Sequence, residues 1–244
     1  MRKFLLMLLA TLVSGSAIAA GGYANLMDAE VDVSDEASLQ RGAQLFANNC
    51  MGCHSAKFVR WNALPEELGV SMELIEENLI WDSGYQAGDV MTAAMRSEDA
   101  SAWFGAAAPD LSLTARSRGA DWVYTYLNSF YVDPDASIGW NNTLLQNASM
   151  PHVLWQLQGV PQPVYEGSGD ALKVAEIVVP EGQQGAMTEA EYQQATKDIT
   201  NFMAFMAEPV RAKRQELGVW VIGFLLVFTI LAYFMKREYW RDVH

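Results

Sequence analysis

The run Cys50-Met51-Gly52-Cys53-His54 constrains this chain more than any other five residues. Two thiols three positions apart, followed at once by an imidazole, form the spacing that fastens a c-type haem. Each thiol adds to one vinyl group of the porphyrin, and the histidine lies under the iron as an axial ligand. A chain fastened this way must fold around a flat apolar group. Cys50 and Cys53 are the only two cysteines, so no thiol is left for a further disulfide or a four-cysteine cluster. A zinc site needs about four ligands; these two cysteines with His54, His152 and His244 only just supply them, in no usual spacing. A thioredoxin-like pair also reads Cys-x-x-Cys, but it sits in a βαβ unit, and residues 30–60 carry no such pattern. One covalent haem c is the expectation.

The two ends place the domain. Residues 1–19 read as a signal peptide: Arg2 and Lys3 start it, Phe4 to Val13 form the apolar stretch, and Ala17-Ile18-Ala19 the cleavage site. That stretch is short for a membrane span of about 20 residues. Leu217 to Met235 carries no charge and is long enough to cross about 30 Å of hydrocarbon, with Trp220 and Tyr233 near its ends. Arg211, Lys213 and Arg214 precede it and Lys236, Arg237 and Arg241 follow, so basic residues alone fix no orientation. The export signal does. The expected organisation is a signal peptide 1–19, a periplasmic haem domain 20–210, a transmembrane anchor 217–235 in the inner membrane and a cytoplasmic tail 236–244.

The net charge of −13 becomes more negative once Arg2 and Lys3 leave with the leader. Acidic residues concentrate at Asp28–Glu36, Glu66–Glu77 and Glu189–Asp198. Such a surface argues against nucleic acid; it suits steering of a basic protein partner, or simple solubility.

Between the ends, apolar periodicity predicts helices over Ser34–Asn49, Met72–Trp81, Gly119–Phe130 and Thr188–Ala207, the last stopped by Pro209. Leu39, Gly42, Ala43, Phe46 and Cys50 form the stripe that delivers the haem motif to the core edge. Residues 82–112, 132–152 and 158–187 read as loops, with Val174–Val179 a short strand or hairpin arm. Loops this long are uncommon unless they serve a function, and a porphyrin gives them something to pack on.

The position opposite His54 decides what the iron does. Ser149-Met150-Pro151-His152 offers two ligands, Met150 and His152. A thioether there raises the reduction potential relative to a second imidazole, whereas open coordination suits gas binding or peroxidase chemistry. Met72, Met91, Met95, Met187, Met203 and Met206 are rival thioethers, and methionine often only fills core gaps.

An ordered set of further motifs spans nearly the whole chain. Arg41-Gly42-Ala43-Gln44-Leu45-Phe46 leads into Cys50–His54, then come Ala108-Pro109-Asp110-Leu111-Ser112 and Ala115-Arg116-Ser117-Arg118-Gly119-Ala120-Asp121-Trp122. Met150-Pro151, Ala207-Glu208-Pro209 and a C-terminal span ending Met235-Lys236-Arg237 follow. In this order the chain resembles the cytochrome c1 family of proteobacterial type, the haem subunit of the cytochrome bc1 complex (quinol:cytochrome c oxidoreductase). The resemblance implies an all-α, class I cytochrome c-like haem domain with long loop insertions, plus one C-terminal transmembrane helix. It implies haem attachment at Cys50 and Cys53, iron ligation by His54 and Met150, and Pro109 beside the histidine, its carbonyl orienting the ring. It also implies an arginine against a haem propionate. Arg116 and Arg118 both fit that place, with Arg118 preferred, and His152 stays an alternative iron ligand. The implied work is transfer of single electrons from a Rieske iron–sulfur protein to a cytochrome c, beside cytochrome b, in a dimeric complex. Bond-making catalysis belongs to the complex and not to this chain. The nearest alternative is a membrane-anchored cytochrome c donating directly to a terminal oxidase; a haem enzyme or sensor and a thiol oxidoreductase come after it.

Overall fold

The computed structural model describes residues 25–80, 84–167 and 173–242; the expected signal peptide lies outside them. Two helices make the frame. Helix α1 (Glu36–Asn49) starts at Asp35, whose carboxylate accepts the Ser38 N–H at 3.0 Å. This satisfies one of the orphan donors at a helix start. Its inner face is Ser38, Leu39, Gly42, Ala43, Phe46 and Ala47, as the stripe predicts.

The partner of α1 is the long helix that follows the loops, labelled α8 (Glu189–Ala207). Its start is a capping box: Thr188 Oγ1 accepts the Glu191 N–H, and Glu191 accepts the Thr188 N–H at 2.8 Å. The two helices meet at Gly42, where a Cβ would overlap the carbonyl of Asp198 and the Cβ of Phe202. Only glycine permits this approach. Around the crossing, Phe46 and Phe202 pack at 5.6 Å between ring centroids. The buried Asp198 carboxylate accepts Arg41 Nε at 2.6 Å, Arg41 Nη2 at 3.0 Å, Ser38 Oγ at 2.7 Å and Gln194 Nε2 at 2.9 Å. A buried carboxylate survives only with such company.

Short elements fill the interval. Strand β1 (Ala56–Arg60) pairs antiparallel with β2 (Val90–Met91), and α2 (Leu64–Leu68) and α3 (Met72–Asn78) lie between them. Helix α2 ends at Gly69, whose φ of 63° is the left-handed stop that glycine supplies. Helices α4 (Ser97–Phe104), α5 (Thr114–Ser117) and α6 (Ala120–Leu127) come next. Strands β3 (Phe130–Val132) and β4 (Trp140–Asn142) pair antiparallel, with Phe130 opposite Asn142. After the single turn α7 (Trp155–Gln158), β5 (Gln162–Glu166) pairs with β6 (Lys173–Val178), which bears out the hairpin arm.

Thus the fold is helical at its frame, with three two-stranded pairs among the described residues; β2, β4 and both strands of the third pair lie in the expected loops. The third expected helix ends at Leu127 rather than Phe130, because Phe130 turns into β3 and pairs with β4. The aromatic face read from the sequence is continuous all the same. Trp122 stacks on Tyr126 at 5.0 Å, and Tyr126 meets Phe130 edge-on at 5.0 Å.

Helix α9 (Arg211–Tyr239) follows α8 after three residues. At 1.5 Å per residue its 29 residues extend about 43 Å, enough to cross a bilayer core with both basic flanks included. None of its side chains is buried. Arg214 pairs with Glu208 at 2.6 Å and Lys213 with Glu67 at 3.3 Å, tying the root of this helix to the domain.

Candidate haem site

The end of α1 builds the site. The Cys50 N–H bonds the Phe46 carbonyl as a last helical turn, and the chain then makes one further turn. In it the Cys53 and His54 N–H groups both bond the Cys50 carbonyl, at 3.1 and 2.8 Å. A turn this tight places both thiols and the imidazole on one stretch of backbone. Two outside segments brace it. Ala94 N–H and Met95 N–H donate to the Met51 and Gly52 carbonyls at 3.3 and 3.0 Å, and Ala93 N–H donates to Ser55 Oγ at 2.9 Å. On the other side Leu111 N–H donates to the Ser55 carbonyl at 2.8 Å. Ser55 was not legible as a site residue, since an isolated serine after a histidine carries no spacing signal.

The decisive contact joins His54 Nδ1 to the Pro109 carbonyl at 2.8 Å. A carbonyl only accepts, so Nδ1 carries the proton and donates, and Nε2 is left with its lone pair. The ring is largely buried, and burial holds His54 below its ordinary value, outweighing the Pro109 bond and the Asp110 charge that act to raise it. The imidazole is therefore neutral, oriented and ready to ligate through Nε2.

Asp110 fixes the segment that carries Pro109. Its carboxylate accepts the Lys57 N–H and the Ser112 N–H, each at 2.9 Å, while Ser112 Oγ accepts the Phe58 N–H at 3.1 Å.

Both cysteines are free thiols. Burial, with Cys53 adding to it, pushes the Cys50 thiol up to about 12, and burial raises Cys53 as well. Thiol–disulfide chemistry needs an accessible thiolate, so this environment opposes it. Among the described residues no group of three or more His, Cys, Asp or Glu side chains is placed to hold a metal ion. Two unjoined thiols beside a histidine with only Nε2 available fit a covalent haem.

Met150 is half-buried and packs on the core from the strand-free stretch 143–151. Of its rivals, Met91, Met203 and Met206 are buried core side chains on β2 and α8, and Met72 and Met187 pack against the same core. His152 is walled in. Its ring stacks on Phe130 at 5.1 Å and 12°, with Trp140 edge-on at 5.2 Å and Tyr192 at 6.3 Å. Burial pulls its pKa down to about 4, outweighing the nearby Gln158 side chain, which acts to raise it. The two arginines part company. Arg116 reaches towards Glu208 at 3.8 Å, and the Arg118 guanidinium lies 4.9 Å over the Trp122 ring. Two surface clefts, one lined by Asp28, Arg116 and Glu208 and the other by β6 and the start of α8, contain no residue of the Cys50–His54 turn.

Comparison with known proteins agrees with this geometry. Residues 27–243 match the Cytochrome C1 family. Cytochrome c1 of Allochromatium vinosum is 42% identical over 249 residues, covering all of both chains. A protein of Nitrosomonas europaea named ammonia monooxygenase gamma subunit is 43% identical over 246 residues, covering 100% of this chain and 99% of its own. Cytochrome b/c1 of Bradyrhizobium diazoefficiens is 28% identical, covering 86% of this chain and 34% of its own. The chain belongs to the cytochrome c1 family, membrane-anchored electron-transfer subunits of the cytochrome bc1 complex that carry one covalently bound haem c.

Proposed function

We propose that Cys50 and Cys53 hold the haem by thioether bonds, that His54 Nε2 and the Met150 thioether ligate its iron, and that the chain passes single electrons from a Rieske iron–sulfur protein to a cytochrome c. The observation that carries this reading is the Pro109–His54 bond, which leaves one nitrogen of a neutral, fixed imidazole for ligation. Bound there, the haem would supply one-electron redox chemistry, and an imidazole–thioether ligand pair from His54 and Met150 would suit it to a high potential. The enclosure of His152 by three aromatic rings supports Met150 over it.

Arg116 and Arg118 are the proposed propionate partners. Replacing each in turn by glutamine separates them: the partner's variant lowers or broadens the potential, and the other leaves it unchanged. The haem domain, residues 20–210, lies in the periplasm after removal of residues 1–19; the anchor crosses the inner membrane over residues 217–235, and residues 236–244 are cytoplasmic. Cytochrome b is the neighbour, as the names of the Bradyrhizobium relative and of a Candida albicans relative called a cytochrome b-c1 complex catalytic subunit indicate for those proteins. The complex is a dimer.

The test is purification of this chain from native membranes in mild detergent, with assay of quinol-dependent cytochrome c reduction. Co-purification with a b-type cytochrome and a Rieske protein, with activity blocked by a quinol-site inhibitor, is the expected result. A haem-stained chain that travels with a terminal oxidase or with a monooxygenase, without quinol-dependent activity, would overturn it.

A further inference from the structure

The stretch that carries Met150 is built unusually. Residues 143–151 form neither helix nor strand. Thr143 N–H donates to the Ser129 carbonyl at 3.0 Å. Beyond it the N–H groups of Leu144, Leu145 and Asn147 find no backbone oxygen; they find two asparagine side chains. Asn142 Oδ1 accepts Leu144 N–H at 2.9 Å and Leu145 N–H at 3.2 Å. Asn141 Oδ1 accepts Asn147 N–H at 2.9 Å and the Asn142 N–H at 2.8 Å. Asn147 itself sits at φ 58°, a left-handed turn that asparagine tolerates.

Each amide also reaches outward with its nitrogen. Asn142 Nδ2 donates to the Tyr126 carbonyl at 2.9 Å, at the end of α6, and Asn141 Nδ2 donates to Asp133 at 2.7 Å. Asn142 is fully buried and Asn141 nearly so. At the far end Pro151 stiffens the chain, and the His152 ring lies flat on Phe130, the residue that pairs with Asn142 across the β3–β4 ladder. The stretch therefore leaves and returns at one residue pair.

We propose that Asn142, seconded by Asn141, is a positioning residue that sets the backbone from which the Met150 thioether reaches the iron. This rests on the reading of Met150 as iron ligand. Methionine has three rotatable bonds and little intrinsic direction, so the placement of its sulfur falls to the backbone. That backbone has no ladder of its own, and Asn142 supplies the missing order. A side-chain amide presents an acceptor and a donor from one short planar group. Aspartate keeps the acceptor for Leu144 and Leu145 but sets an oxygen against the Tyr126 carbonyl. Leucine keeps the volume and loses every bond.

The experiment uses the full-length, haem-loaded chain in detergent. Asn142→Asp and Asn142→Leu are compared with the unmodified protein and with Met150→Leu. The readouts are the near-infrared thioether charge-transfer band of the ferric form, carbon monoxide binding by the ferrous form, and the midpoint potential. Met150→Leu is expected to lose the band and bind carbon monoxide. Both Asn142 variants are expected to keep covalent haem and helical circular dichroism while the ratio of thioether-bound to open iron falls, about tenfold in Asn142→Asp, the weight of one buried hydrogen bond left unmade, and further in Asn142→Leu. Asn142→Asp, which preserves shape, carries the test where the leucine variant does not fold. A full band and unchanged potential in Asn142→Asp, beside a Met150→Leu that has lost both, overturns the positioning role alone. A Met150→Leu protein with its band intact overturns the ligand reading, and the positioning role with it.

Discussion

Replacing Gly42 by alanine separates what helix propensity predicts from what this fold predicts. Alanine is favoured over glycine inside a helix by about 1 kcal/mol, so on local grounds the variant gains stability. In the structure the added methyl falls on the Asp198 carbonyl and on the Cβ of Phe202. These atoms belong to the backbone of α8 and the root of a buried ring, and neither swings aside as a flexible side-chain tip does. Overpacking of this kind costs about 1–3 kcal/mol, and a rigid obstacle places it at the upper end. The helices must separate, loosening the Phe46–Phe202 contact and the bonds to Asp198 from Ser38 on α1 and from Arg41. Net destabilisation of about 2 kcal/mol follows, or a melting temperature roughly 4–8 °C lower at this domain size. Thermal unfolding of the haem-loaded protein in detergent, followed by far-ultraviolet circular dichroism, reads it directly. A Gly42→Ala protein that melts at or above the unmodified one would refute the reasoning, because propensity would then outweigh the crossing.

Changing Cys50 or Cys53 to alanine leaves one thioether, and changing both leaves none; haem staining on a denaturing gel should survive weakly in the single variants and vanish in the double. Asp110 gives a pH dependence. Burial acts to raise its carboxyl, but hydrogen bonds from Ser112 and Lys57 and the Lys57 charge prevail and hold it below its ordinary value of 3.8. A depressed carboxylate contributes stability above the unfolded value, lost as the pH falls through the folded one. The urea midpoint of the unmodified protein should therefore exceed that of Asp110→Asn at neutral pH, with the gap closing below about pH 3.8; a gap constant with pH counts against this role.

The frame was legible because its signals are local. Asp35 before the Leu39–Phe46 stripe marks one helix, and Thr188 with Glu191 the other. The anchor needed only its uncharged run. The expected loops hid real elements for physical reasons. Helix α4 buries Ala100 alone and so shows no apolar period; α5, just beyond that loop, is a single turn. Strand β4 turns the polar Asn141 and Asn142 inward, where a sequence rule expects apolar side chains. At the site, the Cys-x-x-Cys-His run declares its chemistry in five residues. The contact between His54 and Pro109 spans 55 positions, so only the resemblance pointed to it. His152, read beside Met150 as a rival ligand, lies in a box of rings drawn from β3, β4 and α8, which no local pattern announces.

The most direct test of the central claim is near-infrared magnetic circular dichroism of the intact ferric protein, which distinguishes imidazole–thioether from bis-imidazole iron. A low-spin thioether signature, lost in Met150→Leu and kept when His152 is replaced by phenylalanine, is the result this account predicts. A bis-imidazole signature, or high-spin iron with an open position, would contradict it.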